Sequence, residues 1–175
     1  MLPPTVAIQP EEAELFRETQ RFYRNELLRV LVPVECVTVT GLMGALSTQV
    51  PPDQQLPYWL TWFGCAVLLP GAVMLMGFTT VVTDRRIVLR WFPGVFPGRD
   101  IALGEVIAAD AVKYSPMGDA GGWGWRSSKK FHRVMNVCGE RGVHLKYGER
   151  RKDQILIGSL RADELNAAVR ADLDR

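Results

Sequence analysis

Apolar and polar positions along the chain fall into three regimes. In the first, Leu15, Phe16, Thr19, Phe22, Tyr23 and Leu27 recur at helical spacing, while Arg17, Glu18, Arg21 and Arg24 face away. Pro10 suits the first turn of such a helix, and Glu11, Glu12 and Glu14 suit the positive end of its dipole. The pattern predicts an N-terminal amphipathic helix within residues 1–26, behind a flexible lead-in at 1–9. Its stripe would pack on a soluble domain or lie at a bilayer surface, with the arginines on anionic headgroups.

The second regime, residues 27–78, is apolar. Residues 56–78 contain no charge and are long enough to cross a hydrocarbon core, which takes about 20 helical residues. Tyr58, Trp59 and Trp62 crowd the first turns, where an aromatic belt meets headgroups. Residues 27–46 form a less pure segment, with Arg29 near the start, Pro33, and Glu35 inside. Residues 47–55 are a short polar loop, so the two segments are expected as an antiparallel two-helix transmembrane hairpin. Gly41 and Gly44, facing Gly64, Ala66, Gly71 and Ala72, would let the backbones approach. The loop has no lysine or arginine, whereas Arg17, Arg21, Arg24 and Arg29 precede the hairpin and Arg85, Arg86 and Arg90 follow it. The positive-inside rule then puts both termini in the cytoplasm of a multi-pass protein.

From Thr79 the period changes to two. Residues 79–83 and 86–91 read as strands around the Asp84-Arg85 turn, and further strands follow at 100–103, 106–114, 123–126, 131–138, 143–147 and 154–157. Residues 161–173 form an amphipathic helix with Leu165, Ala168, Val169 and Leu173 on one face. Seven or so antiparallel strands closed by one helix describe a small barrel or sandwich at residues 79–175. The fold class is therefore an α+β membrane protein.

Composition changes this picture little. A formal charge of +2 is too small to indicate a nucleic-acid partner. Three widely spaced cysteines, Cys36, Cys65 and Cys138, make no disulfide framework or paired metal motif and fit a reducing compartment. The Met-Leu-Pro-Pro start lacks the basic region of a cleaved signal peptide, so the apolar segments are expected to stay.

Several motifs resemble a known group. Thr83-Asp84-Arg85-Arg86-Ile87-Val88-Leu89-Arg90 after a membrane span is similar to the start of bacterial PH-like (pleckstrin-homology-like) domains, which commonly follow two transmembrane helices. Gly121-Gly122-Trp123-Gly124-Trp125-Arg126, Asn136-Val137-Cys138-Gly139-Glu140-Arg141-Gly142-Val143 and Ile155-Leu156-Ile157-Gly158-Ser159 resemble the same group of bacterial membrane proteins of uncharacterised function. The resemblance covers about residues 79–173. It implies a PH-like fold, an inner-membrane setting and no catalytic residues or cofactor. PH-like folds bind lipids, peptides or other subunits, so the fold does not choose the ligand.

Candidate chemistry is sparse. The run from Arg126 through Lys129, Lys130 and His132 to Arg133 is basic enough to meet an anionic leaflet, although a solvated hairpin turn is the commoner fate of such a run. Trp123 and Trp125 share one strand face and are expected in the core, with a ligand groove or the bilayer interface as the other settings. Glu35 is costly in apolar sequence unless protonated or paired; it is read as structural, near the cytoplasmic interface or against a neighbouring subunit. A hairpin closed by Gly139–Gly142 would pair Cys138 with Val143 and His144 with Val137, putting Cys138 and His144 on opposite faces, so no metal or thiol site is expected. Ser115, Ser127 and Ser128 lie in no nucleophile elbow. The function expected is non-enzymatic. It is a membrane-anchored binding or scaffold module engaging partner membrane proteins, a second copy or anionic lipid, and not nucleic acid. The alternative is an accessory subunit of a transport or enzyme complex, with Glu35 handling ions or protons.

Overall fold

Residues 14–21, expected as helix, form a strand. The computed structural model describes residues 9–94, 96–150 and 152–173; apart from Gln9, the lead-in expected at 1–9 lies outside them. Strand β1 (Glu14–Arg21) pairs antiparallel with β2 (Gly77–Thr83), from Phe16 opposite Val82 to Arg21 opposite Gly77. The chain divides into two units: the part up to Arg21 joined with the part from Gly77 onward, and Phe22–Met76 between them. The β unit therefore does not begin at residue 79. The apolar hairpin is inserted between two neighbouring strands of one sheet.

The reason β1 is a strand lies in its inward face. Phe16, Glu18 and Gln20 alternate as buried residues with half-buried Arg17, Thr19 and Arg21, a period of two. Two of the three inward residues are polar, so the alternation does not read as hydrophobic. Burial is tolerated because their hydrogen bonds are made. Glu18 accepts from the Ser159 hydroxyl and, at 2.9 Å, from Leu160 N–H. Gln20 donates to Gly158 O at 2.9 Å and accepts from Cys138 N–H at 3.2 Å.

β3 (Arg86–Phe92) and β4 (Arg99–Ala102) complete the first sheet, in the order β1-β2-β3-β4. All of β2 is buried. The Thr83-Asp84-Arg85-Arg86 motif is a turn device: Thr83 Oγ1 accepts from Arg85 and Arg86 N–H, and Asp84 Oδ1 accepts from Ala13 N–H at 3.1 Å. The second sheet holds β5 (Ala108–Lys113), β6 (Gly124–Ser128), β7 (His132–Asn136), β8 (Arg141–Lys146) and β9 (Gln154–Gly158), in the order β5-β8-β9-β7-β6. Pairing is antiparallel except β7 with β9, which is parallel. The expected hairpin between residues 131–138 and 143–147 is thus corrected, because β8 pairs with β5 and β9. Cys138 N–H is taken by Gln20, which draws the chain beyond β7 toward β1 instead of back along β7. At Gly158 a Cβ would stand 2.7 Å from Asn136 Cβ and 3.0 Å from Tyr114 Oη, so this approach of strands requires glycine.

Helix α4 (Ala162–Leu173) packs on strands of both sheets, with Leu165 and Val169 fully buried. The unit is α+β, with its core around Phe78, Leu89, Met135, Leu145, Ile155 and Leu165.

The second unit is the hairpin. Asn25 caps α1 (Glu26–Ser47), its Oδ1 accepting from Leu28 N–H at 3.2 Å. The return helix runs as α2 (Gln55–Trp62), a π-helical turn at Phe63–Leu68, and α3 (Leu69–Leu75). Pro70 explains part of the irregularity, since it has no N–H to offer Ala66 O four residues earlier. That carbonyl accepts from Cys36 Sγ at 2.9 Å. Tyr58 Oη donates to Met43 O at 2.6 Å, and Gln55 Nε2 to Ser47 O at 2.7 Å. These bonds join the helices. The expected glycine seam does not: a Cβ on Gly41, Gly44, Gly64 or Gly71 would meet nothing within 4 Å. Both helices are long and apolar enough to cross a membrane. In their most apolar stretches 0% and 6% of residues are buried, and Val37 and Leu56 are 74% and 70% exposed.

Candidate functional site

The basic run is built on the β6–β7 hairpin, in the register Ser127 opposite Arg133 and Ser128 opposite His132. Its tight turn is held by Ser128, whose hydroxyl donates to Asp119 O at 2.6 Å and accepts from Lys130 N–H at 3.1 Å. His132 sits at φ 59°, the left-handed region that a hairpin residue other than glycine seldom adopts. Ser127 Oγ donates to His132 O at 3.2 Å and fixes that conformation.

Trp125, Arg126, Ser127, His132 and Arg133 together line a groove of about 310 Å³. Trp125 is 41% exposed, so the core setting expected for it is corrected. It ends an aromatic chain that runs from buried Phe78 through Trp91 and Phe96, whose ring centre lies 6.4 Å from that of Trp125. Trp123 is half-buried, and its buried indole N–H has no partner among the described residues. Gly124 between the two takes φ 99°, which only glycine adopts without strain.

The cations of the run are not equivalent. Arg126 Nε donates back to Trp123 O at 3.1 Å. Lys130 Nζ lies 3.2 Å from Asp119 Oδ1 and 5.1 Å from the centre of the Phe131 ring. The Ser115 backbone N–H, and then Lys130, hold the Asp119 carboxyl below the usual carboxylate range. Lys129 is exposed in the turn, outside the groove. Of the candidates for lipid or partner contact, Arg126, Lys129, Lys130, Arg133, Trp123 and Trp125, three (Trp125, Arg126 and Arg133) meet in one place.

The remaining polar candidates are dispersed. Cys138 is buried, with its Sγ 3.4 Å from Arg21 O. His144 packs edge-on to Phe131 at 5.2 Å, and burial pushes its imidazole below the ordinary value. Burial likewise pushes the Tyr114 phenol up to about 12. Among the described residues, no three His, Cys, Asp or Glu side chains converge as they would for a metal ion.

Family models, curated proteins and solved structures were all compared with the chain, and none matches it. Function therefore rests on the residues themselves.

The sequence pattern singles out Glu35, but not the cavity around it. Glu35, nine residues into α1 and so about 13 Å along it, lies near the middle of that helix. Its side chain is exposed and lines a hairpin cavity of about 740 Å³ with Met43, Tyr58, Thr61, Trp62 and Cys65. Trp62 Nε1 is buried there without a hydrogen-bond partner among the described residues. The rotation of one helix against the other decides which faces meet, and local sequence does not carry it.

Proposed function

We propose that this chain is a membrane-anchored, non-enzymatic binding module of the cell (inner) membrane, whose β unit is PH-like and cytoplasmic. The observation that carries the reading is the pair of long apolar helices whose side chains the chain itself leaves uncovered. In water such a surface is unfavourable at roughly 25 cal/mol per Å², and a bilayer removes that cost. Two sheets with a C-terminal helix support a PH-like unit; the parallel β7–β9 pair and the hairpin inserted after β1 are departures from what the resemblance implied. Arg21 opposite Gly77 supports a hairpin that leaves and re-enters the β unit on one side of the membrane, as the charge pattern also does.

The ligand favoured is an anionic headgroup or an acidic segment of a partner membrane protein. The groove supports it by offering two guanidinium groups beside an exposed indole, the amphipathic type of side chain that settles at a bilayer surface. Carbonate extraction of membranes expressing the full chain tests the anchor: the protein is expected in the pellet and in the detergent phase. Recovery in the supernatant without detergent refutes the reading. The accessory-subunit alternative has one observation in its favour, the cavity at Glu35, and Glu35→Gln tests it through loss of transport with normal assembly.

A further inference from the structure

Glu35 is the one ionisable carboxyl in a cavity whose other lining side chains are neutral. If the hairpin lies in the bilayer, the reading on which this inference rests, a carboxyl at that depth is costly unless it is protonated or paired with a cation. Beyond Arg29 the hairpin supplies no such cation. Between residues 30 and 83 there is no lysine, arginine or histidine. A second copy brings nothing better, since a symmetric pair would set carboxylate against carboxylate at the same depth. A cation that pairs with Glu35 therefore comes from another molecule, and the cavity describes its chemistry. A volume of about 740 Å³ falls within the range of small-molecule sites. Tyr58 and Trp62 offer aromatic rings, which attract organic cations, and Met43 offers an adaptable apolar wall. The Cys36–Ala66 hydrogen bond fixes the helices beside Glu35, and the π-helical turn at Phe63–Leu68 begins where Trp62, Cys65 and Ala66 face the cavity.

We propose that the hairpin cavity binds a lipophilic organic cation, with Glu35 holding the charge and Tyr58, Trp62 and Met43 enclosing the apolar body. The probe is tetraphenylphosphonium, with triphenylphosphine oxide as an uncharged control of similar bulk. The full chain is reconstituted in nanodiscs and binding is read by equilibrium dialysis. Saturable binding of the cation is expected, and Glu35→Gln weakens it by about tenfold or more, because a charge pair out of water carries at least that much coupling. Asp53→Asn, which removes an acidic side chain of the hairpin that does not line the cavity, leaves the affinity unchanged.

Cys65 gives a second measurement that needs no variant. Its exposed thiol lines the same cavity, so the cation, but not the oxide, slows its labelling by a membrane-permeant maleimide, read at the Cys65 peptide. Equal affinity in Glu35→Gln, equal protection by the oxide, or no saturable binding overturns the site and leaves the anchor standing. Finding instead that a basic helix of a partner protein crosslinks at Cys65 while the cation does not compete overturns it as well. Failure of the chain to enter nanodiscs overturns the membrane reading itself.

Discussion

Deleting β1 while leaving everything from Gly77 onward tests whether the β unit is assembled from both sides of the hairpin. Two soluble versions are compared. One joins Arg21 to Gly77 through a two-residue turn in place of Phe22–Met76; the other starts at Gly77. The join is geometrically modest because Arg21 and Gly77 already face each other in the ladder. The cost of losing β1 follows from its contacts. Phe16 is 5% exposed, and burying a side chain of that size contributes about 2 kcal/mol. Besides a bond from Gln20 within β1, Glu18 accepts hydrogen bonds from Ser159 and Leu160, which contribute about 1 kcal/mol each. Gln20 makes two further bonds, to Gly158 and Cys138, of about 1 kcal/mol each. The loss is therefore roughly 6 kcal/mol, comparable with the whole stability of a domain this size. The joined version is expected to melt cooperatively by circular dichroism. The version from Gly77 should lack a cooperative transition and exchange its β2 amides freely. Matching melting curves would refute the reasoning, because β1 would then be an ornament on a unit complete without it.

Three other outcomes follow from the same geometry, each measured on the joined β unit. Gly158→Ala places a Cβ against Asn136 and Tyr114 and should cost about 1–3 kcal/mol, lowering Tm by roughly 5–15 °C in a thermal melt. Arg126→Ala with Arg133→Ala should weaken sedimentation with phosphatidylserine vesicles by roughly thirtyfold, at about 1 kcal/mol per cation, and the binding should fall with salt. Lys130→Ala should cost less, because Asp119 already engages that ammonium; equal losses from Lys130 and Arg133 would remove the groove from the account. His144 has its folded-state pKa lowered by burial, so the unfolded chain takes up the proton first as pH falls. Stability should accordingly drop on acidification through the ordinary histidine range near pH 6.5, and His144→Gln should flatten that slope in denaturant titrations.

What could be read from the sequence was local. The two apolar helices follow from uninterrupted apolar composition, and β2 and β3 from alternation around Asp84-Arg85. The helix at Ala162–Leu173 follows from the spacing of Leu165 and Val169. Arg126 and Arg133 could be marked as parts of one basic run, whereas Trp125, read as core, joins them only in the folded β6–β7 hairpin. What could not be read depends on distant partners. Glu18 and Gln20 look like solvent-facing residues until Ser159, Gly158 and Cys138 meet them, so β1 read as the polar side of a helix. The parallel pairing of β7 with β9 has no turn to announce it. Lys130 could not be separated from Arg133 without Asp119. The hairpin glycines suggested a seam, yet the joining contacts come from Tyr58, Gln55 and Cys36, whose side chains reach the facing backbone.

The position of β1 also constrains how the protein is made. β1 precedes the hairpin and its partner β2 follows it, so the first sheet cannot close until both apolar helices have been synthesised and Gly77 has come back to Arg21. Pairing over such a sequence separation is slow in loop-closure terms unless the intervening chain brings its own ends together. An antiparallel helical hairpin does so: Phe22 N–H bonds to Met76 O at 3.1 Å, closing the base of the second unit one residue from the β1–β2 ladder on each strand. The insertion thus shortens the search it would otherwise lengthen. The same closure requires both ends of the hairpin to start from one place, the topology that the arginines before and after it favour on separate, electrostatic grounds.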